Sequence, residues 1–297
     1  MTVPGTGVED RWRRLDRYRR NDTSQNGEDG IIERLLEILP ATPRVCLEVG
    51  AYDGKSMSNT YRLWHDLGWR ALLIEASPSR FEQLKVNCQG FDNVVTLNTM
   101  IAPTGVSSLA SLVRGCGMEP HIGVLSLDID SNELEYVEHL DGLRVDIVVL
   151  EFNFDIPSDV CYRDLPQDVF FRHSAKAVED VALRSGFRIV ACVGPNAVLV
   201  REAAITPEAA GALPDLPVEA MFDYAFVRRK RSSHAVIRSK LVSEDLGFVG
   251  KPSSWNGLRL RLLSRLLRIR RLLIGGGTRE PTNQARRDHM KKSGIWI

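Results

Sequence analysis

Arg44-Val45-Cys46-Leu47-Glu48-Val49-Gly50-Ala51-Tyr52-Asp53-Gly54 decides how the rest of the chain is read. Residues 45–49 carry the pattern of a short buried strand, and they run straight into a turn holding Gly50 and Gly54. Residues 55–65 then read as helix. A strand that ends in a glycine turn and opens a helix is a geometry in which an α/β sheet receives a cofactor. The glycines let the backbone come close to the ligand. A second strand, residues 69–74, ends in Glu75, 25 residues past Gly50. That is close to where a nucleotide-binding sheet sets a carboxylate against ribose hydroxyls.

The turn also says which cofactor it suits. A dinucleotide fingerprint needs Gly-x-Gly-x-x-Gly, because a pyrophosphate must lie against the helix start. Here Tyr52 takes the place of the middle glycine, and Glu48 and Asp53 flank the turn. Negative charge there repels a pyrophosphate and suits the amino group and sulfonium of S-adenosylmethionine. The same two acids disfavour a nicotinamide dehydrogenase. The bland alternative is an ordinary tight strand–helix turn, which Glu75 in the expected place weakens.

The stretch Glu48 to Gly54, followed by Ser58-Asn59-Thr60 and Leu73-Ile74-Glu75-Ala76, resembles the FkbM-type S-adenosylmethionine-dependent methyltransferases. Ser24-Gln25-Asn26-Gly27-Glu28-Asp29, Ser126-Leu127-Asp128-Ile129-Asp130 and Val149-Leu150-Glu151-Phe152-Asn153 resemble further blocks of that family, in the family's order, over residues 24–201. The resemblance implies an α/β fold, the Rossmann-like class I methyltransferase: a mostly parallel seven-stranded sheet with a C-terminal β-hairpin. It implies O-methylation of a hydroxyl on a sugar, glycan or secondary metabolite. Glu48, Gly50, Ala51, Asp53, Asn59, Glu75 and Ala76 would form the cofactor site, with Glu75 on the ribose and Gln25 near the cleft. Tyr52 departs from the usual methyltransferase glycine pattern, as the family itself does.

The chain has 297 residues, 43% of them hydrophobic, enough for one large domain with additions or two modest ones. Its formal charge of +1 hides an asymmetry. Residues 1–23 hold 6 basic against 4 acidic side chains, residues 24–227 hold 15 against 30, and residues 228–297 hold 18 against 4. A basic arm over 1–23, a methyltransferase domain over 24–227 and a basic extension over 228–297 are therefore expected. The five cysteines are scattered without a Cys-x-x-Cys pair, which argues against zinc and for reduced thiols. Residues 9–20 are charged with no apolar run after them, so no secretory signal is expected. No run of 18 apolar residues occurs. A cytoplasmic protein, peripheral at the inner membrane surface if its tail binds there, is the expectation.

Along the chain, helices are expected over residues 24–39 with Ser24 as cap, 78–88, 132–140, and 174–184 with Ser174 as cap. Strands are expected over 94–98, 122–127, 145–150, 187–192 and 197–201, the last two as a hairpin. Residues 100–120 read as a loop or short helix, and residues 155–172 as a substrate-facing loop or lid. Ligands in such sheets bind beyond the carboxyl ends of the strands, where Asp128, Asp130, Glu151 and Asn153 fall. These are hard oxygen donors suited to Mg²⁺ or another divalent cation, which would lower the pKa of a bound hydroxyl. Alternatively Asp128 or Glu151 bonds the cofactor or caps the next helix. Without metal, Asp128, Glu151 or His121 would be the base, and the choice stays open. A lone histidine beside a strand is more often structural.

Residues 258–274 hold six arginines and no acid, with Leu258, Leu262, Leu266, Ile269 and Leu273 on one helical face. A basic amphipathic helix of this kind contacts a membrane surface or a protein partner, or it packs on the acidic core. No paired aromatic platform or known motif points to nucleic acid. The rival to an enzyme acting on a small-molecule or glycan acceptor is a non-catalytic protein of the same fold that docks through this tail.

Overall fold

The computed structural model describes residues 14–130, 132–154, 156, 161–163 and 172–221. The segment 258–274 and most of the loop expected over 155–172 lie outside the described residues.

The elements alternate as the apolar periodicity requires. They run α1 (Glu28–Ile38), β1 (Val45–Val49), α2 (Tyr61–His65), β2 (Arg70–Ile74), α3 (Pro78–Asn87), β3 (Val94–Leu97) and α4 (Leu109–Gly115). β4 (His121–Leu127), α5 (Glu133–Glu138), β5 (Arg144–Glu151), α6 (Ala175–Arg184), β6 (Phe187–Val193), β7 (Asn196–Arg201) and α7 (Pro207–Ala210) follow. The seven strands form one sheet in the order β3-β2-β1-β4-β5-β7-β6. The first five are parallel, and β7 runs antiparallel to both β5 and β6. This is the Rossmann-like methyltransferase arrangement, hairpin included.

Both faces of the sheet are covered, so its strands are apolar on both sides. Leu47, Val49, Leu72, Leu125 and Val148 face one core with Val113 of α4, Val137 of α5 and Val178 of α6. Cys46, Ala71, Leu73, Val124 and Ile147 face the other with Ile31 and Leu35 of α1, Trp64 of α2 and Leu84 of α3. The alternation of neighbouring residues between the two cores is the strand period of two.

The register positions the site. Val49 is level with Ile74 and with Leu127, and Leu127 is level with Leu150. The next residues, Gly50, Glu75, Asp128 and Glu151, therefore leave the sheet along one edge, at the carboxyl ends of four adjacent parallel strands.

Three local expectations change. α1 starts at Glu28 behind Gly27, not at Ser24. Asp29 is the reason: its Oδ2 accepts the N–H groups of Asp22, Thr23 and Ser24 at 2.7–2.8 Å, which holds those residues in a loop. The helix over 55–65 shrinks to Tyr61–His65, because Glu48 captures the donors of residues 58–60. Part of the basic arm packs on the fold. Leu15 is buried, Arg14 donates to the Gly211 carbonyl and Arg19 to that of Cys192. Among the described residues, no helix is long and apolar enough to cross a membrane.

Candidate active site

At the tips of β1 and β2 the backbone is bent into one particular shape. Gly50 has φ +79°, and a Cβ there would lie 1.9 Å from the backbone carbonyl oxygen of Asp128. Only glycine lets the β1 turn and the end of β4 approach this closely. The N–H groups of Gly50 and Ala51 both donate to the Ile74 carbonyl, at 2.9 and 3.0 Å. Tyr52, with φ +53°, donates its N–H to Glu75 Oε2 at 2.9 Å. Ser77 N–H donates to Glu75 Oε1 at 2.7 Å. Each carboxylate oxygen thus holds one backbone donor, which sets the carboxylate plane and leaves acceptor capacity on both oxygens. Two vicinal ribose hydroxyls need that arrangement, so these residues fit an adenosyl cofactor.

The other expected cofactor residues do different work. Glu48 is buried and accepts from Ser58 Oγ at 2.6 Å, Asn59 N–H at 2.8 Å and Thr60 Oγ1 at 2.7 Å. Burial pushes its pKa up to about 7, against the pull of those three donors. It shapes the loop from behind. Asn59 donates to Ser126 Oγ at 3.0 Å, tying the same loop to β4. Asp53 accepts from Lys55 N–H, Ser56 N–H and Ser56 Oγ. Although partial burial raises its pKa, these bonds leave it below the ordinary value. Ala76 is exposed beside Glu75, and the exposed Gln25 accepts a bond from Asn21 on its carbonyl.

At the tips of β4 and β5, oxygens of Asp128, Asp130 and Glu151 lie within 4.8 Å of one another. Arg172 enters this cluster. Its Nε lies 2.8 Å from Glu151 Oε2, and its Nη2 bonds Asp130 Oδ1. Burial, then the charge of Asp128, pushes Glu151 up to about 9, although Arg172 pulls the other way. Glu151 thus stands between the charge of Arg172 on one side and a hydrogen bond with Asp128 on the other. Asp128 is exposed at the mouth and accepts a hydrogen bond from Glu151. Its pKa is nonetheless raised, by the neighbouring protein and then by Asp130.

One expectation fails here. His121 is the first residue of β4, at the opposite end of the strand from Asp128, where its Nε2 meets Asp146 at 3.0 Å. It is not a base for chemistry at the carboxyl edge. Asp128, Asp130 and Glu151 do come together as expected of a metal-ligand group, and the Arg172 guanidinium pairs with two of them, Asp130 and Glu151. Asn153 is buried, with its N–H on the His173 carbonyl at 2.7 Å.

Sequence reasoning also missed the role of Glu28. Its Oε2 accepts Asn26 N–H at 2.7 Å. Its Oε1 accepts Asn26 Nδ2 at 3.0 Å and Asn196 Nδ2 at 2.7 Å. Asn196 is the β7 residue paired with Glu151, so α1 is fastened to the neighbour of the cluster. The resemblance block around residues 24–29 was the only signal of this.

No family model matches the sequence, and no curated protein does. Solved structures do match. The citrinin polyketide synthase CMeT domain is 14% identical with a TM-score of 0.40, over 59% of this chain and 51% of that one. The chain thus spans about half the length of that domain. A SAM-dependent methyltransferase from Aquifex aeolicus is 17% identical with a TM-score of 0.35, over 57% of this chain and 87% of that one. The N-terminal domain of EvdMO1, solved in the presence of SAH and D-fucose, is 14% identical with a TM-score of 0.41, over 66% and 95%. At these scores the chemistry has to be argued from the chain's own strand order and side chains.

Proposed function

We propose that this chain is an S-adenosylmethionine-dependent methyltransferase that methylates a hydroxyl of a small acceptor: a sugar, glycan or secondary metabolite. One observation carries the reading. Glu75, at the tip of β2, is held by the Tyr52 and Ser77 N–H groups with an open lone pair on each oxygen, beside the Gly50 turn. The FkbM resemblance of the quoted blocks supports it at family level.

Bound S-adenosylmethionine would supply an electrophilic methyl group on its sulfonium. The chain's part is to bind, align and take up a proton. Glu75 would accept the ribose hydroxyls, and the Gly50–Ala51 backbone would leave the space beside them. Asp128 would take up the acceptor's hydroxyl proton at its carboxylate as the methyl group leaves the sulfonium for the acceptor oxygen. It suits that role better than Glu151, which is buried against Arg172 and keeps its own proton up to about pH 9. The raised pKa of Asp128 makes it a stronger base than an ordinary aspartate.

Calorimetric titration with S-adenosylmethionine tests the reading. Wild-type protein should bind it saturably, and Glu75→Ala should weaken binding by about 3 kcal/mol or more, the scale of two lost charge-assisted hydrogen bonds. Absence of binding by folded wild-type protein would sink the enzyme assignment. Tight binding of NAD in its place would revive the dehydrogenase.

A further inference from the structure

Three carboxyl groups cannot share one edge of a sheet without a cation nearby or a proton between them. Metal-assisted transfer to a hydroxyl would bring a divalent ion. This chain brings Arg172. Its guanidinium presents Nε to Glu151 Oε2 at 2.8 Å and Nη2 to Asp130 Oδ1, so one planar group joins the end of β5 to the residues following β4.

The backbone on either side shows that Arg172 is placed there by the fold. Arg172 itself adopts φ +62°, a conformation that a bulky side chain takes up only under constraint. The next residue, His173, is fully buried and accepts Asn153 N–H on its carbonyl. Ser174 forms a parallel bridge with Asn153 and exchanges bonds with Tyr162: its N–H donates to the Tyr162 carbonyl, and its Oγ accepts Tyr162 N–H. The same Oγ caps α6 through Ala177 N–H. Ser174 is therefore stitched beside Asn153, two residues past Glu151, and this fixes the chain that carries Arg172 to the cluster. Divalent ions need oxygen contacts of about 2.0–2.6 Å, and a guanidinium ion-paired with two of the three carboxyls stands in their way and repels them.

We propose that Arg172 is the resident cation of this site, taking the place of a divalent metal and holding Asp130 and Glu151 so that Asp128 alone faces the acceptor. Arg172 is a positioning residue: its positive charge, which a lysine also carries, is what keeps a divalent ion out. The methyl-transfer reading is needed only for the use to which Asp128 is put.

Mn²⁺ binding to the full chain, followed by its paramagnetic resonance signal, tests this without cofactor or acceptor. Failure here is therefore distinguishable from failure of the methyl-transfer reading. Wild-type protein should show only weak binding that Asp128→Asn leaves unchanged. Arg172→Gln should bind Mn²⁺ at least about tenfold more tightly, a gain erased when Asp128→Asn is added, while Arg172→Lys stays near wild type. Tight wild-type binding that Asp128→Asn abolishes would overturn the proposal, and so would a folded Arg172→Gln that gains nothing. Should Arg172→Gln fail to fold, Asp128→Asn in the wild-type background still decides between the two.

Discussion

At Gly50 a single hydrogen atom separates a working turn from a clash. Gly50→Ala sets a Cβ 1.9 Å from the Asp128 carbonyl oxygen at φ +79°, so β1 and β4 must part. A loss of about 2–4 kcal/mol in urea unfolding is expected, on the scale of overpacking added to backbone strain. Glu48→Ala should cost a similar amount, about 2–4 kcal/mol, by leaving Ser58, Asn59 and Thr60 with buried donors and no acceptor. Gly50 and Glu75 were legible in the sequence because a glycine at a strand end and an acid one strand later mark the site by spacing alone. The work of Glu48 was not legible. A buried acid reads as a ligand contact until the loop donors that surround it are seen. Arg172 was further out of reach: 42 positions separate it from Asp130, and no local pattern joins them.

At the scale of elements, the sequence signalled helices and strands well where period and caps agreed. Ser174 caps α6 as expected, and the β6–β7 hairpin turns at Gly194. It misled where side chains compete with the backbone. Residues 55–60 have the composition of a helix start, yet Asp53 takes the donors of Lys55 and Ser56 and Glu48 those of residues 58–60, so α2 begins only at Tyr61. The link from α1 to β7 spans 168 positions and rests on Glu28 and Asn196. Glu28→Ala would leave the half-buried Asn26 N–H and the Asn26 and Asn196 amides without the acceptor that the buried Glu28 supplies. A loss of about 2–3 kcal/mol is expected. Hydrogen exchange should quicken at Phe152 N–H, which bonds Pro195 in the turn that Asn196 completes.

For the molecule as a whole, the alternation of strands and helices restricts the sheet to a few orders, and the right-handed crossover narrows them again. The place of β7 between β5 and β6 is a tertiary fact that the hairpin alone does not reveal. The molecule's stability also depends on pH through its buried acids. Glu48 and Glu151 have an ordinary pKa of 4.5 and are raised to about 7 and about 9 in the fold. The folded chain therefore holds protons that the unfolded chain has released. Their contribution is complete below pH 4.5 and falls as pH rises through those values. For one such proton the slope is at most about 1.4 kcal/mol per pH unit. Glu151→Gln keeps an acceptor for Arg172 and cannot ionise, so thermal melting between about pH 7 and pH 9 should fall less steeply in that variant than in wild type.

The central claim is a place as much as an activity: the cofactor lies at the carboxyl tips of β1 and β2, against Glu75. Amide hydrogen exchange with and without saturating S-adenosylhomocysteine tests that place directly. The account predicts slowed exchange over the turn 50–54 and at residues 75–77, with the His121–Asp146 end of the sheet unchanged. Protection confined to another face of the molecule, or none at a ligand concentration that saturates binding, would contradict it.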